Sequence, residues 1–246
     1  MDRVVYVAMT GAKHTMRANQ VNTNNLANIN TTGFRGDLAA FQSKPIEGAG
    51  YPSRINSVTQ SNGADFTPGS LITTGRELDV AVKGEGWIAV QTADGGEAYT
   101  RAGDFTVNNA GMLLTSAGQP VLGNGGPIAV PPFSKLEIGK DGTISVLPVG
   151  QAPSTLAVVD RIKLVNPPRE QLNKTAEGLF KTADGATQAA DAKVTLASGV
   201  LETSNVNGVS ALVNMIELSR HLEVQVKLIK QAEENDAATA QVMRVG

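Results

Sequence analysis

Proline and glycine are spread so unevenly along this 246-residue chain that they divide it into three zones. Residues 1–32 hold no proline and a single glycine, Gly11. Residues 208–246 again lack proline, with glycine only at 208 and 246. Residues 33–207 are rich in Gly, Pro, Thr and Val. Proline breaks helices and glycine weakens them, and both punctuate turns between strands. The distribution therefore predicts an α+β chain. Long N- and C-terminal helices are expected to pair as a coiled-coil-like inner domain, with an all-β outer domain of short strands and hairpins between them. The expected boundaries are 1–32 for the N-terminal assembly helix and 33–69 for a loop or extended connector. The β-rich outer domain is expected over 70–207 and the C-terminal assembly helix over 208–246.

Each terminal zone carries a seam. Val5, Met9, Ala12, Met16, Asn19, Thr23 and Leu26 alternate in steps of four and three, apolar at the start and polar later. This helix is expected to end at "INTTGF", with Gly33 in the left-handed C′ position and Phe34 packing back onto the last turn. At the other end Leu212, Met215, Ser219, Leu222, Val226 and Ile229 repeat the spacing, with Ile216 beside them. Asn205 or Asn207 is placed to cap its start. Glu223 and Lys227 form an i,i+4 pair in the favourable orientation.

About 30 residues per helix corresponds to roughly 45 Å, and two such ends of similar length are expected to pair. Both stripes are narrow, so the pair alone would bury little apolar area. Such helices gain stability mainly from packing. They are expected to need further helices, from copies of related chains, and to order on assembly.

The polar end of the first helix points the same way. Half of the residues from Asn19 to Asn30 are asparagine. Asparagine is a weak choice for a solvated helix face, where Lys, Glu and Gln do better. On a seam, Asn19 can fix register and partner number at some cost in stability. Asn22, Asn25 and Asn28 lie on another face, where their amides can bond neighbouring chains or capping groups. The stretch reads as specification of an assembly.

The middle reads as hairpins. In "KLEIGKDGTISVL" (135–147) apolar residues alternate on both sides of an Asp141-Gly142 turn. "WIAVQTADGGEAYTRAG" (87–103) is a second hairpin, turning at "ADGG", and "RIKLV" (161–165) a further strand. Residues 43–69 have weak periodicity and read as a long loop or extended connector. A phrase G-x-L-x-T recurs at Gly69, Gly111 and Gly199 with irregular spacing, so no repeat fold is expected.

Catalytic chemistry finds little support. There is no cysteine, which removes thiolate chemistry and cysteine-based zinc sites. His14 and His221, the only histidines, sit on the predicted helices with no ligand-spaced neighbours. "KGEGW" (83–87) lacks the GK[ST] ending of a phosphate loop and reads as a tight turn. Asp79, Asp94, Asp104 and Asp141 occupy turn-like settings where local hydrogen bonding explains them. The net charge of −2 gives no nucleic-acid or anionic-membrane surface. The apolar run "VVYVAM" (4–9) is too short for a signal peptide and no stretch reaches membrane-spanning length. No enzyme, cofactor, metal, small-molecule substrate or membrane insertion is expected.

Against that background, "NNLANINTTGFRGDLAAF" (24–41) resembles the N-terminal signature of flagellar rod and hook proteins, the axial family of the bacterial flagellum. "LDVAVKGEGWIAVQTADGGEAYTRAGDFTVNNAGMLLTSAGQPVLG" (78–123) is similar to the opening of that family's β domain. "SGVLETSNVNGVSALVNMIELSRHLEVQVKLIK" (198–230) is similar to its C-terminal signature. The start "MDRVVYVAMTGA" is like that of proximal-rod members. Distal-rod and hook relatives carry an R-x-Y-E phrase near the C-terminus, where this chain has Arg220-His221-Leu222-Glu223. A proximal-rod member is therefore favoured over a distal-rod one. The resemblance implies terminal helices packed around an export channel, a β-rich outer domain, and torque transmission along a periplasm-spanning rod in the basal body. It implies export without a cleavable signal through the flagellar export apparatus. It also implies partners that are other rod proteins and copies of the chain itself. A periplasmic carbohydrate-binding or peptidoglycan-acting domain is the reading from another class.

Overall fold

The computed structural model describes residues 3–45, 55–148, 150 and 156–245, with side chains described except at 3–4, 41–45, 55–62, 242 and 244–245. In chain order the elements are α1 (Arg3–Ala27), β1 (Asp37–Pro45), β2 (Ile55–Ala64), β3 (Leu71–Thr73), β4 (Val80–Lys83), β5 (Trp87–Gln91), β6 (Glu97–Thr100), β7 (Phe105–Val107) and β8 (Leu113–Thr115). There follow β9 (Phe133–Ile138), β10 (Thr143–Pro148), β11 (Ala157–Arg161), β12 (Leu164–Val165), β13 (Leu172–Lys174), β14 (Phe180–Thr182), β15 (Thr195–Ser198), β16 (Val200–Glu202) and α2 (Gly208–Val245). The chain divides into two compact units. Unit 1 takes Met1–Asn28, Gly36–Asp65 and Val206–Gly246; unit 2 takes Ile29–Arg35 and Phe66–Asn205.

In unit 1, α1 packs on α2 and on a two-stranded β1–β2 hairpin. The helices run antiparallel: Asn22 near the end of α1 meets Ala211 at the start of α2, and Gly11 lies against Gln225. Their lengths differ, at 25 and 38 residues, or about 38 and 57 Å. Similar lengths were expected. Part of the difference arises because α1 ends at Ala27, not near residue 32. Asn28 bonds its side-chain amide to the Asn24 carbonyl at 2.9 Å, and the Asn-Ile-Asn-Thr-Thr run beyond it has side chains that compete for backbone groups. Gly33 does adopt a positive φ of 65°, but six residues past the helix, so it is not C′. The start of α2 follows expectation: the Ser210 amide donates to the Asn207 Oδ1 at 3.1 Å, an N-cap bond to the third helical residue.

The hairpin overturns the expectation of a loop over 43–69. Nine- and ten-residue strands pair from Asp37↔Ala64 out to Pro45↔Ile55. Its Ser, Asn, Gln and Thr content hides the alternation that marks a half-buried strand. The residues 46–54 of that segment lie outside those described.

Unit 2 is antiparallel throughout its described strand pairs. A five-stranded sheet runs β12-β5-β6-β14-β13, a three-stranded one β11-β10-β9, and β15-β4, β16-β3 and β7-β8 pair in twos. Both expected hairpins form, with Ile144↔Ile138 and Val146↔Leu136 across the Asp141-Gly142 turn, and Ile88↔Thr100 in the other. Thr143 donates to the Asp141 carboxylate at 2.6 Å, which with the Thr143 amide holds that acid below its usual range. Local bonding thus accounts for this turn aspartate. "RIKLV" is two elements rather than one strand: Arg161 closes β11, Ile162 bridges Gly123, and only Leu164–Val165 pairs with β5. The three G-x-L-x-T phrases mark β3, β8 and β16, and two of them pair, Leu71↔Glu202 and Thr73↔Val200. The core gathers fully buried Val80, Ile88, Phe105, Leu113, Val121 and Ile144 from strands of several sheets.

Candidate assembly surface

The face of α1 turned toward α2 is made of small residues. Ala8, Thr15 and Ala18 are buried, and Gly11, Asn22 and Asn25 partly so, in steps of three and four. A Cβ at Gly11 would lie 2.9 Å from the Gln225 Nε2, so the helices approach closely there. The opposing face of α2 reads Ala211, Met215, Leu218, Leu222, Gln225, Ile229 and Ala232 in steps of four and three.

The expected seams are therefore only half used inside the chain. On α1, Val5, Ala12, Asn19 and Leu26 are partly buried, while Met9, Met16 and Thr23 face outward, Met9 at 55% and Met16 at 60% exposure. On α2, Met215, Leu222 and Ile229 line the pair. Leu212, Ile216 and Val226 are half exposed or more, and Ser219 is exposed. Close approach selects small side chains, whereas the sequence pattern gave weight to large ones. Apolar residues also lie outside the inner face over the first two thirds of α2, since Val213, Val224 and Leu228 are exposed. Charged residues share that surface, Glu217, Arg220, Glu223, Lys227 and Lys230 among them, but the exposed apolar side chains are more than a singly scattered few.

The asparagines divide by role. Asn25 makes a two-bond clamp, donating from Nδ2 to the Asp37 carbonyl and accepting from the Asp37 amide, both at 2.8 Å. It pairs the start of β1 as a neighbouring strand would. Asn22 donates to the Ala211 carbonyl at 2.7 Å. Asn19 keeps a buried Oδ1 with no hydrogen bond. The Asn22 and Asn25 amides thus act within the chain, and Asn28 bonds back to the last turn of α1.

Gly33 and Phe34, expected at the helix exit, belong to unit 2 and to a cluster absent from the sequence-based candidates. Glu202 is 1% exposed and accepts from Arg35 at 2.6 Å, from Arg101 at 3.3 Å and from the Gly69 amide at 3.0 Å. Its own carbonyl accepts from the Gly33 amide at 2.8 Å. Arg101 also donates to the Gly84 carbonyl at 2.7 Å and lies over the Trp87 ring, 5.2 Å from its centroid. Lys174 donates to the Arg35 carbonyl at 2.7 Å and stands 4.0 Å above the Phe34 ring. Asn205 donates from its amide to the Phe34 carbonyl and from its side chain to the Thr67 carbonyl. The three segments by which the chain enters and leaves unit 2 are thereby tied to one buried carboxylate. Burial pulls the Arg101 guanidinium below its usual range, Arg35 adds to this, and Glu202 opposes it.

Among the described residues no group of three His, Asp or Glu side chains comes together to hold a metal ion. No described helix is long and apolar enough to cross a membrane.

Family comparisons agree with the geometry. Residues 5–35 match the model described as flagella basal body rod protein, 81–146 the flagellar hook protein FlgE/F/G D1 domain, and 197–242 the flagellar basal body rod FlgEFG protein C-terminal. The flagellar basal-body rod protein FlgF of Salmonella typhimurium is 43% identical over 99% of both chains, and that of Escherichia coli 42% over the same shares. A FlgG rod protein of Buchnera aphidicola is 32% identical over 94% of this chain and 95% of its own. With two full-length FlgF relatives above 40% identity and three rod-family models in chain order, the chain belongs to the flagellar basal-body rod protein family.

Proposed function

We propose that the outward faces of α1 and α2 are the surfaces by which this rod subunit is built into its assembly. The protein is a structural subunit of the flagellar basal-body rod and not an enzyme. The observation that carries the finer reading is the set of exposed apolar side chains on α2. Leu212, Ile216 and Val226 stand half exposed or more on a 38-residue helix whose inner face is already occupied. Exposed apolar surface of this kind marks association. Copies of the chain and other rod proteins are the partners that would cover it with helices of their own. In this reading the paired helices line a tube around the export channel, the β-rich unit forms its outer layer, and many helix contacts pass torque along the rod. Work is done by stiffness, with no chemical step. The chain reaches the growing end by the flagellar export apparatus and orders fully on joining it. The 43% and 42% identity to two FlgF relatives, against 32% to the FlgG relative, supports the proximal rod over the distal.

Ile216→Asp tests this. In the free chain the position is exposed, so stability changes by no more than about 0.5 kcal/mol. In the assembly an unpaired carboxylate would be buried, at a cost of several kcal/mol. Folded monomer, with rod assembly and swimming lost, is the expected result. Normal swimming would sink the assignment of this face.

A further inference from the structure

Unit 2 carries a notch of about 200 Å³ that the helix surfaces do not involve. Its walls are Phe66, Trp87, Pro167 and Pro168, and Arg101, Arg169 and Glu85 bring charge to it. We propose that this notch is a carboxylate-binding site that receives an acidic side chain from an adjoining protein chain.

The charges around it are unbalanced. Arg101 shares one carboxylate, Glu202, with Arg35. Arg169 pairs with Glu85 at 2.6 Å. Three guanidiniums thus face two carboxylates. Of these only Arg101 and Arg169 line the notch; Arg101 is 6% exposed, and its Nε is buried with no hydrogen-bond partner. Buried charged donors left without acceptors are costly, and an incoming carboxylate lowers that cost. Arg169 uses only Nη2 toward Glu85, so its fork keeps donors for a second acceptor. The volume suits a single side chain, and Phe66 with the two prolines can take the methylenes of a glutamate. Glu85 at the rim disfavours a more highly charged phosphate.

Trp87, the only tryptophan, is the built-in reporter, since Arg101 lies over its ring. The full chain is titrated with N-acetyl-glutamate methylamide, with the glutamine analogue and with inorganic phosphate, following Trp87 fluorescence. A saturating change with the glutamate probe, absent with the glutamine analogue and weaker with phosphate, is expected. Arg169→Gln, at an exposed position, should weaken binding about tenfold, the loss of one charge-assisted contact. Glu85→Gln should tighten it several-fold by removing the resident competitor for Arg169. A flat titration overturns the site, as does an equal response to the glutamine analogue or unchanged affinity in both variants. A stronger response to phosphate overturns its assignment to an acidic side chain. The notch lies wholly in unit 2, so its failure leaves the helix-face reading standing, and the reverse also holds.

Discussion

Glu202→Ala is expected to destabilise unit 2 by about 3–5 kcal/mol, the cost of removing one partner from a buried ion pair. Here two partners lose their counter-charge together. Arg35 and Arg101 are 1% and 6% exposed and would be left as neighbouring cations with no carboxylate between them. The Gly69 amide loses an acceptor as well. Urea unfolding followed by Trp87 fluorescence reads the right unit, because Trp87 is 5% exposed within it. The effects should also be non-additive. With Glu202 already replaced, Arg35→Ala removes an unpaired cation and should cost far less than it does alone, or even restore stability. A loss below about 1 kcal/mol for Glu202→Ala would mean that the carboxylate is not what ties these segments together.

Gly33→Ala should be nearly as damaging, and for a separable reason. A Cβ there would lie 2.2 Å from the carbonyl carbon of Arg101, and φ is 65°. The left-handed conformation alone costs a non-glycine residue roughly 1–2 kcal/mol, and forcing an atom into backbone adds about 1–3 kcal/mol. Gly75 supplies the control. Its φ is 72°, but a Cβ there meets nothing within 4 Å. Gly75→Ala should show the conformational part only, and the difference between the two variants measures the clash. Equal losses would contradict the close approach of residue 33 to the Arg101 backbone.

These two positions also mark where the sequence was readable. Asp141-Gly142 announced its hairpin, and Asn207 its helix, because turn and cap chemistry act over two or three residues. The same local logic anticipated a left-handed Gly33. It could not tell that the reason is Arg101, 68 positions on, rather than the end of α1. The ion cluster was invisible for the same cause. Arg35 and Glu202 are 167 residues apart, and no spacing rule connects them. The β1–β2 hairpin was missed because its strands carry polar residues where alternation would otherwise be seen. The helix seams were half legible. Period placed both helices, but the pair closes on Ala8, Gly11 and Ala18, small residues that carry little weight in a hydrophobic pattern. The larger Met9, Met16, Leu212 and Ile216 were left facing outward. That displacement is itself informative, since it separates the face the chain uses internally from the one proposed to meet neighbours.

The outward face can be tested where it matters most by cysteine protection. The chain contains no cysteine, so Ile216→Cys introduces a single thiol at a position 55% exposed in the free chain. Its alkylation rate is measured in purified monomer and in isolated basal bodies containing the variant. Rapid labelling of the monomer with strong protection in the assembled rod is the predicted result. Equal labelling in both would contradict the claim that neighbouring helices cover this face.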